Sequence, residues 1–394
     1  MLFIAKLGSE LSVRLGQPPV LGEILAGMVL GNLRLLGVDA FADAATLPSI
    51  EFLAELGVVV LLFEVGLEST LVEMKRVAPL SGAVAVIGVV APMILGYLAS
   101  RLLMPHESMS HHLFVGATLC ATSVGITARV LQDLHAMDRA ETKVILGAAV
   151  IDDVLGLVVL AVVSAIAEKG APSPMEVGTI IALAVGFLVG AVILGTFIMP
   201  GFFRASAKLR SPGVLAAISI GFCLLLSGAS AMAGLAAIVG AFAAGLVLDE
   251  VHVQPFGKTS KHDLSELVHP IVNLLAPVFF VRTGMLVDLG GITVEALILA
   301  GALSVVAVLG KLVAGLGVPA TRANRLLVGI GMIPRGEVGL IFANVGAAIR
   351  TEDGEALVTK GAFGAIVLMV MATTVITPPW LSYQIGRLRA RETP

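Results

Sequence analysis

Val150-Ile151-Asp152-Asp153-Val154-Leu155-Gly156 sets two adjacent carboxylates inside a run of apolar residues that extends over about 144–167. A helix of roughly 20 mostly apolar residues is long enough to cross the hydrocarbon core of a bilayer. Similar runs recur along the chain, at about 1–15, 18–37, 51–68, 78–103, 112–131, 144–167, 177–200, 212–232, 233–248, 266–286, 292–318, 325–349 and 361–386. These are thirteen candidate spans, and the eighth and ninth are parted only by small residues around Ser230 and Gly234.

Composition agrees. The 394 residues are 57% hydrophobic and 13% charged, with a mean hydropathy of +1.01. A soluble domain carries about 25% charged residues, and one core could not hide this much apolar surface. The net charge of -3 comes without a basic stripe, which argues against a nucleic-acid partner. Cys120 and Cys223 are far apart in apolar stretches, so neither a disulfide framework nor a metal-ligand spacing is expected, and no cofactor is implied. His111 and His112 stand at the edge of an apolar run, where a membrane-interface position is expected. The first run carries Lys6, Glu10 and Arg14 and lacks a small-residue cleavage site, unlike a signal peptide.

Basic residues report orientation, because cytoplasmic loops are enriched in Lys and Arg. With thirteen spans one side receives sixteen: Arg14, Lys75, Arg76, Arg129, Arg139, Lys143, Arg204, Lys208, Arg210, Lys258, Lys261, Arg322, Arg325, Arg387, Arg389 and Arg391. The other receives seven: Lys6, Arg34, Arg101, Lys169, Arg282, Arg350 and Lys360. The asymmetry predicts an outside N-terminus and a cytoplasmic C-terminus. The longest polar connection, Asp249 to Glu266, has room for one short interfacial helix, and no soluble domain is expected.

An internal repeat is visible. Ser123-Val124-Gly125-Ile126 in the fifth span matches Glu337-Val338-Gly339-Leu340 in the twelfth. Glu64-Val65-Gly66-Leu67 in the third resembles Arg282-Thr283-Gly284-Met285 in the tenth. An offset of seven spans inverts topology. It predicts inverted repeats over about 1–168 and 212–386, joined by the helix at 177–200, an arrangement common among transporters.

Charges within spans are costly and are functional candidates by default. Desolvation and mutual repulsion oppose joint ionisation of Asp152 and Asp153. A cation arriving from a cavity reverses that balance, so cation and proton compete for the same oxygens. Lys311, near the middle of the eleventh span, needs a carboxylate partner, for which Asp152 and Asp153 are the candidates. Ala121-Thr122-Ser123-Val124-Gly125 and Ile333-Pro334-Arg335-Gly336-Glu337 predict broken helices, because proline removes a donor and glycine loosens the turn. Thr122 and Ser123 add hydroxyl oxygens suited to a hard cation. Arg335 and Glu337 read as a structural ion pair balancing helix ends. Glu23, Glu64 and Glu68 read as interfacial.

Taken together, Gln17-Pro18-Pro19-Val20-Leu21-Gly22-Glu23, Leu62-Phe63-Glu64-Val65-Gly66-Leu67-Glu68, Asp152-Asp153, Phe279-Phe280-Val281-Arg282-Thr283-Gly284, Lys311 and Pro334-Arg335-Gly336-Glu337 resemble the cation:proton antiporter-2 family, close to bacterial Na+/H+ antiporters of the NapA type. The resemblance implies an all-α polytopic membrane protein with interleaved dimerisation and core subdomains, crossed unwound helices at spans five and twelve, and a homodimer in the inner membrane. It implies that Asp153 binds Na+ (or Li+) or H+, that Asp152 pairs with Lys311, and that Thr122 and Ser123 lie near the ion. Exchange would be electrogenic and would serve pH homeostasis. The short first span departs from the pattern. A K+/H+ antiporter of the same fold is the alternative. A sodium-coupled solute symporter would need a larger polar cavity, and a cation channel a continuous filter.

Overall fold

The computed structural model describes residues 1–41, 43–68, 71–169, 174–199, 201–202, 214–248, 261–287, 290, 293–349 and 356–392. Among them are fifteen α-helices and no strand element. They are α1 (Leu2–Arg14), α2 (Pro19–Gly31), α3 (Pro48–Leu67), α4 (Leu71–Leu103), α5 (Met109–Thr118), α6 (Val124–Asp133), α7 (Ala140–Lys169), α8 (Pro174–Ile193), α9 (Val214–Met232), α10 (Ala237–Val247), α11 (Lys261–Met285), α12 (Val294–Ala314), α13 (Arg325–Gly331), α14 (Glu337–Ala348) and α15 (Lys360–Glu392).

These helices fall on the thirteen expected segments, with α5 and α6 sharing the fifth and α13 and α14 the twelfth. Among the described residues six helices are long and apolar enough to cross a membrane, namely α4, α7, α9, α11, α12 and α15. Several ends differ from expectation: α2 stops at Gly31 rather than near 37, and the two longest extensions are in α4 and α15. α4 begins at Leu71 rather than near 78, and α15 runs to Glu392 rather than stopping near 386. Both extensions consist of residues that favour a helix once it has left the apolar layer. The predicted helix between Asp249 and Glu266 lies largely outside the described residues, as do Arg204, Lys208, Arg210, Lys258 and Arg350 of the charge tally.

Local chemistry accounts for several helix starts. Pro19 and Pro48 occupy the first turns of α2 and α3, where a missing N–H costs nothing. Ser108, Thr293 and Asn324 accept from the backbone N–H groups of His111, Ala296 and Leu327 and cap α5, α12 and α13. The α9–α10 turn is made at Gly234, whose φ of 78° suits glycine.

Packing sorts most helices into two sets. In one, α3 lies against α10 and α11, α2 against α1 and α11, and α9 against α10. In the other, α4 lies against α5, α7 and α12, α12 against α15, and α14 against α5 and α15. α6 touches both sets, through α3 and α2 on one side and α7 and α15 on the other. The α3–α10 crossing in the first set is backbone-close at two glycines. A Cβ added at Gly66 would meet the Phe242 carbonyl and one at Gly245 the Phe63 carbonyl, so α3 and α10 touch main chain to main chain. Small residues permit this approach where no hydrophobic force drives association. Ile181, Leu183, Val185, Val189, Ile193 and Phe197 stand exposed along α8 and the π-helical turn after it, as expected of a surface solvated by lipid.

The histidine pair does not face solvent. His111 and His112 are buried. His111 Nδ1 donates to the Leu357 carbonyl at 2.7 Å, and His112 Nδ1 is hydrogen-bonded to the Ser100 hydroxyl at 2.8 Å. The segment before α15 folds over α5 and supplies the partner that sequence distance concealed.

Candidate functional site

α7 carries the acid pair inward. Asp152 is 0% exposed and Asp153 7% exposed. Lys311, also fully buried, reaches Asp152 with Nζ 3.1 Å from Oδ1 and 3.4 Å from Oδ2. Of the two partners left open by its residue type, the structure selects Asp152. Lys311 sits in the last turn of α12 rather than at the middle of its span, and a 3-10 turn, Gly315–Gly317, continues the helix. α4 brings the two charges together by packing against both α7 and α12. A Cβ added at Gly310 of α12 would meet the Pro92 ring of α4 at 2.9 Å. Burying either ion alone costs several kcal/mol, so each depends on the other.

Beside this pair the two broken helices meet. α5 ends at Thr118 and α6 starts at Val124; α13 ends at Gly331 and α14 starts at Glu337. The Ser123 N–H donates to the Pro334 carbonyl at 2.8 Å, joining one extended segment to the other. Thr122 donates to the Met332 carbonyl at 3.4 Å and Thr127 to the Gly331 carbonyl at 2.7 Å. Thr374 of α15 donates to the Arg335 carbonyl. Unwound backbone at membrane depth is tolerated only where protein or water satisfies it, and these hydroxyls do so.

Arg335 is fully buried, and its Nη1 donates to the carbonyls of Met332 and Ile333 at 3.2 and 2.9 Å. It therefore neutralises the carbonyl end of α13, where the helix dipole is negative, and it lies within electrostatic reach of Asp152. The expected Arg335–Glu337 pair falls outside the described residues on one side, because only the backbone of Glu337 is described, at the start of α14. Thr122, Ser123 and Gly336 line a cavity of about 10 Å³ together with Val58, Phe279 and Val338. That is room for about one water-sized occupant. Neither aspartate is among its described walls.

Of the three acids expected at the interface, Glu23 and Glu64 are enclosed by protein and Glu68 is half-buried. Glu23 is 1% and Glu64 0% exposed. Ser9 donates to Glu23 at 2.9 Å, and Gln132 donates to Glu64 at 2.8 Å and to Glu68 at 3.1 Å. His269 Nδ1 stands 2.8 Å from Glu64. Arg129, counted among the loop cations, is buried and pairs with Asp133 at 3.2 Å. Gln132, His269 and Arg129 were not selected from sequence. The available signal was three polar residues, Arg129, Gln132 and Asp133, within one and a half turns at the end of a span. Among the described residues no group of three or more His, Cys, Asp or Glu forms a metal cage.

An all-helical multi-pass membrane protein, with a buried acid–lysine pair next to two crossed broken helices, is a secondary active transporter rather than an enzyme. The chain belongs to the sodium/hydrogen exchanger family: residues 1–383 match the model described as "Sodium/hydrogen exchanger, transmembrane". It is 36% identical over 427 residues to the "High-affinity Na(+)/H(+) antiporter NhaS3" of Synechocystis sp., covering 100% of this chain and 90% of that protein. It is 35% identical over 391 residues to the "Na(+)/H(+)-K(+) antiporter GerN" of Bacillus cereus, covering 98% and 95%. In fold it is similar to the sodium proton antiporter MjNhaP1 of Methanocaldococcus jannaschii. The TM-score is 0.72 at 17% identity, over 99% of this chain and 95% of that one.

Proposed function

We propose that the chain exchanges Na+ (or Li+) for H+ electrogenically by alternating access, with Asp153 as the site that holds either cation or proton. The observation that carries this reading is the buried Asp152–Lys311 pair at 3.1 Å, on the residue next to Asp153 and beside the helix crossing. Lys311 engages Asp152, and Asp153 on the adjoining position is the carboxylate that exchanges a proton for a hard cation. Thr122, Ser123 and the carbonyls of the broken helices supply further oxygen ligands. Cation binding at the acids weakens the lysine's hold on Asp152, and a lysine without a counter-ion in apolar surroundings gives up its proton. The site thus has a second titrating group, and one cycle can move net charge. Arg335 and Glu337 hold the ends of the crossed helices.

The two packing sets support a division of labour. α4–α7 with α12–α15 would move as the core, and α1–α3 with α9–α11 would form the dimerisation scaffold, related by the inverted repeats over about 1–168 and 212–386. Thirteen crossings of the inner membrane, with the N-terminus outside and the C-terminus cytoplasmic, agree with the charge asymmetry. Exchange of this kind serves pH homeostasis.

Asp153→Asn decides the assignment. In proteoliposomes the variant should lose Na+-driven proton flux; near-normal flux with Na+ or Li+ would remove Asp153 from the site. Parallel flux with K+ separates the potassium alternative. Lys311→Gln should alter the response to a clamped membrane potential, and an unchanged response would break the link between the pair and charge movement.

A further inference from the structure

Away from the crossing, a cavity of about 500 Å³ opens between the first turns of α4, the start of α7 and the turn that follows α12. Its volume is in the range of small-molecule sites, roughly 300–1,000 Å³. Arg76, Lys143 and Arg322 line it, against one carboxylate, Asp138. Val77 and Val144 give it an apolar wall, and Ala140 contributes the N-terminal end of α7. That helix end carries partial positive charge and free N–H groups.

Two further observations point to an anion. Arg14, Arg129, Arg139 and Arg282 each have a carboxylate partner, whereas among the described residues no carboxylate pairs with Arg76 or Arg322. The nearby Glu141 is already engaged, by Arg139 at 3.3 Å and by the Asn324 N–H at 2.9 Å. The cavity also sits at a membrane boundary. The apolar runs of α4 and α7 begin at about 78 and 144, just after Arg76 and Lys143, and that of α12 ends at about 318, shortly before Arg322. Three cations at one end of three spanning helices stand at headgroup depth, and basic pockets between membrane helices suit phosphate headgroups.

We propose that this cavity binds a phosphate-bearing anion, supplied either as the headgroup of an acidic phospholipid or as free phosphate. Arginine forks match phosphate oxygens in two-point contacts. The apolar wall gives an acyl chain a place to lie. The bound anion ties α4, α7 and the α12–α13 turn together, and these are the elements that bring Asp152 to Lys311.

Thermal unfolding of the full chain, in neutral detergent at constant ionic strength, tests this. Phosphatidylglycerol and inorganic phosphate are titrated separately, with chloride as the control. A saturable rise in Tm with phosphatidylglycerol alone identifies the lipid, and a rise with inorganic phosphate alone identifies the free anion. Arg76→Gln with Arg322→Gln should weaken the apparent affinity at least about tenfold, since a tenfold loss is no more than one charge-assisted contact supplies. Asp138→Asn, which removes the opposing charge, should tighten it several-fold, and this arm stands even if the double variant fails to fold. No saturable rise with either probe, an equal rise with chloride, or a response unchanged in both variants would overturn the proposal.

Discussion

The backbone N–H of Ser123 donates to the carbonyl of Pro334 at 2.8 Å, across 211 positions of sequence, and so fastens the break in one helix to the break in the other. Each break frees carbonyls that a continuous helix would satisfy. The neighbouring hydroxyls of Thr122, Thr127 and Thr374 take them up.

Thr374→Val keeps the shape of the side chain and removes the donor to the Arg335 carbonyl. A buried acceptor left without a partner costs about 1–3 kcal/mol. Thermal unfolding in detergent should show that loss for Thr374→Val, while Thr374→Ser stays close to the parent. Equal stability of all three would mean that the carbonyl has another donor.

The Asp152–Lys311 pair should behave as a unit. Removing one member leaves a buried charge uncompensated, which costs about 3–5 kcal/mol. Asp152→Leu or Lys311→Met alone should therefore be strongly destabilising. The double variant should be far less so, because neither member of the pair is then left without its counter-charge. A double-mutant cycle with no coupling would contradict the 3.1 Å contact.

Gly66 and Gly301 make opposite forecasts. A Cβ at Gly66 would press on the Phe242 carbonyl, while nothing lies within 4 Å of one at Gly301. Gly66→Val should destabilise by about 1–3 kcal/mol through forced separation of α3 and α10. Gly301→Ala should be neutral or stabilising by up to about 1 kcal/mol, because it restricts the unfolded chain. Thermal unfolding of the two variants side by side is the measurement.

The end of α15 is docked by charge. Arg139 donates to Glu392 at 2.8 and 3.1 Å, and Arg389 donates to the carbonyls of Leu134 and His135. Its hydrogen bonds to the Glu392 carboxylate hold the Arg139 guanidinium above its ordinary value. By linkage the same contact favours ionised Glu392, so docking is present while that carboxylate is charged. It is lost as pH falls below the ordinary glutamate range, about 4.3. Spin labels at positions 138 and 391 should give a narrow distance distribution at neutral pH that broadens in acid. Both native cysteines are buried and compete little for label. Glu392→Gln should be broad already at pH 7; a narrow distribution there would mean that Arg389 alone holds the helix end.

Much of the site was legible because the membrane penalises what it contains. Asp152, Asp153, Lys311 and Arg335 stood out as charges in apolar runs, and Pro334 and the glycines marked the broken helices. The same logic failed for Glu64, Glu23 and His111. They lie near the ends of apolar runs, where sequence cannot distinguish a side chain facing water from one enclosed by another helix. Their partners, Gln132, Ser9 and Leu357, come from other helices and loops, and only packing brings them within reach.

Hydropathy along the chain determined that this protein lives in lipid as a bundle of helices, because apolar length and helix formation are properties of consecutive residues. It also singled out the ionisable groups, because desolvation cost depends on the immediate neighbours. What tertiary structure alone decided is who answers whom: Arg335 serves carbonyls, Ser123 is bound to Pro334, and Gln132 meets Glu64. Those choices rest on distances of about 3 Å between segments far apart in the chain, and such distances are set by how helices cross, which local sequence does not encode.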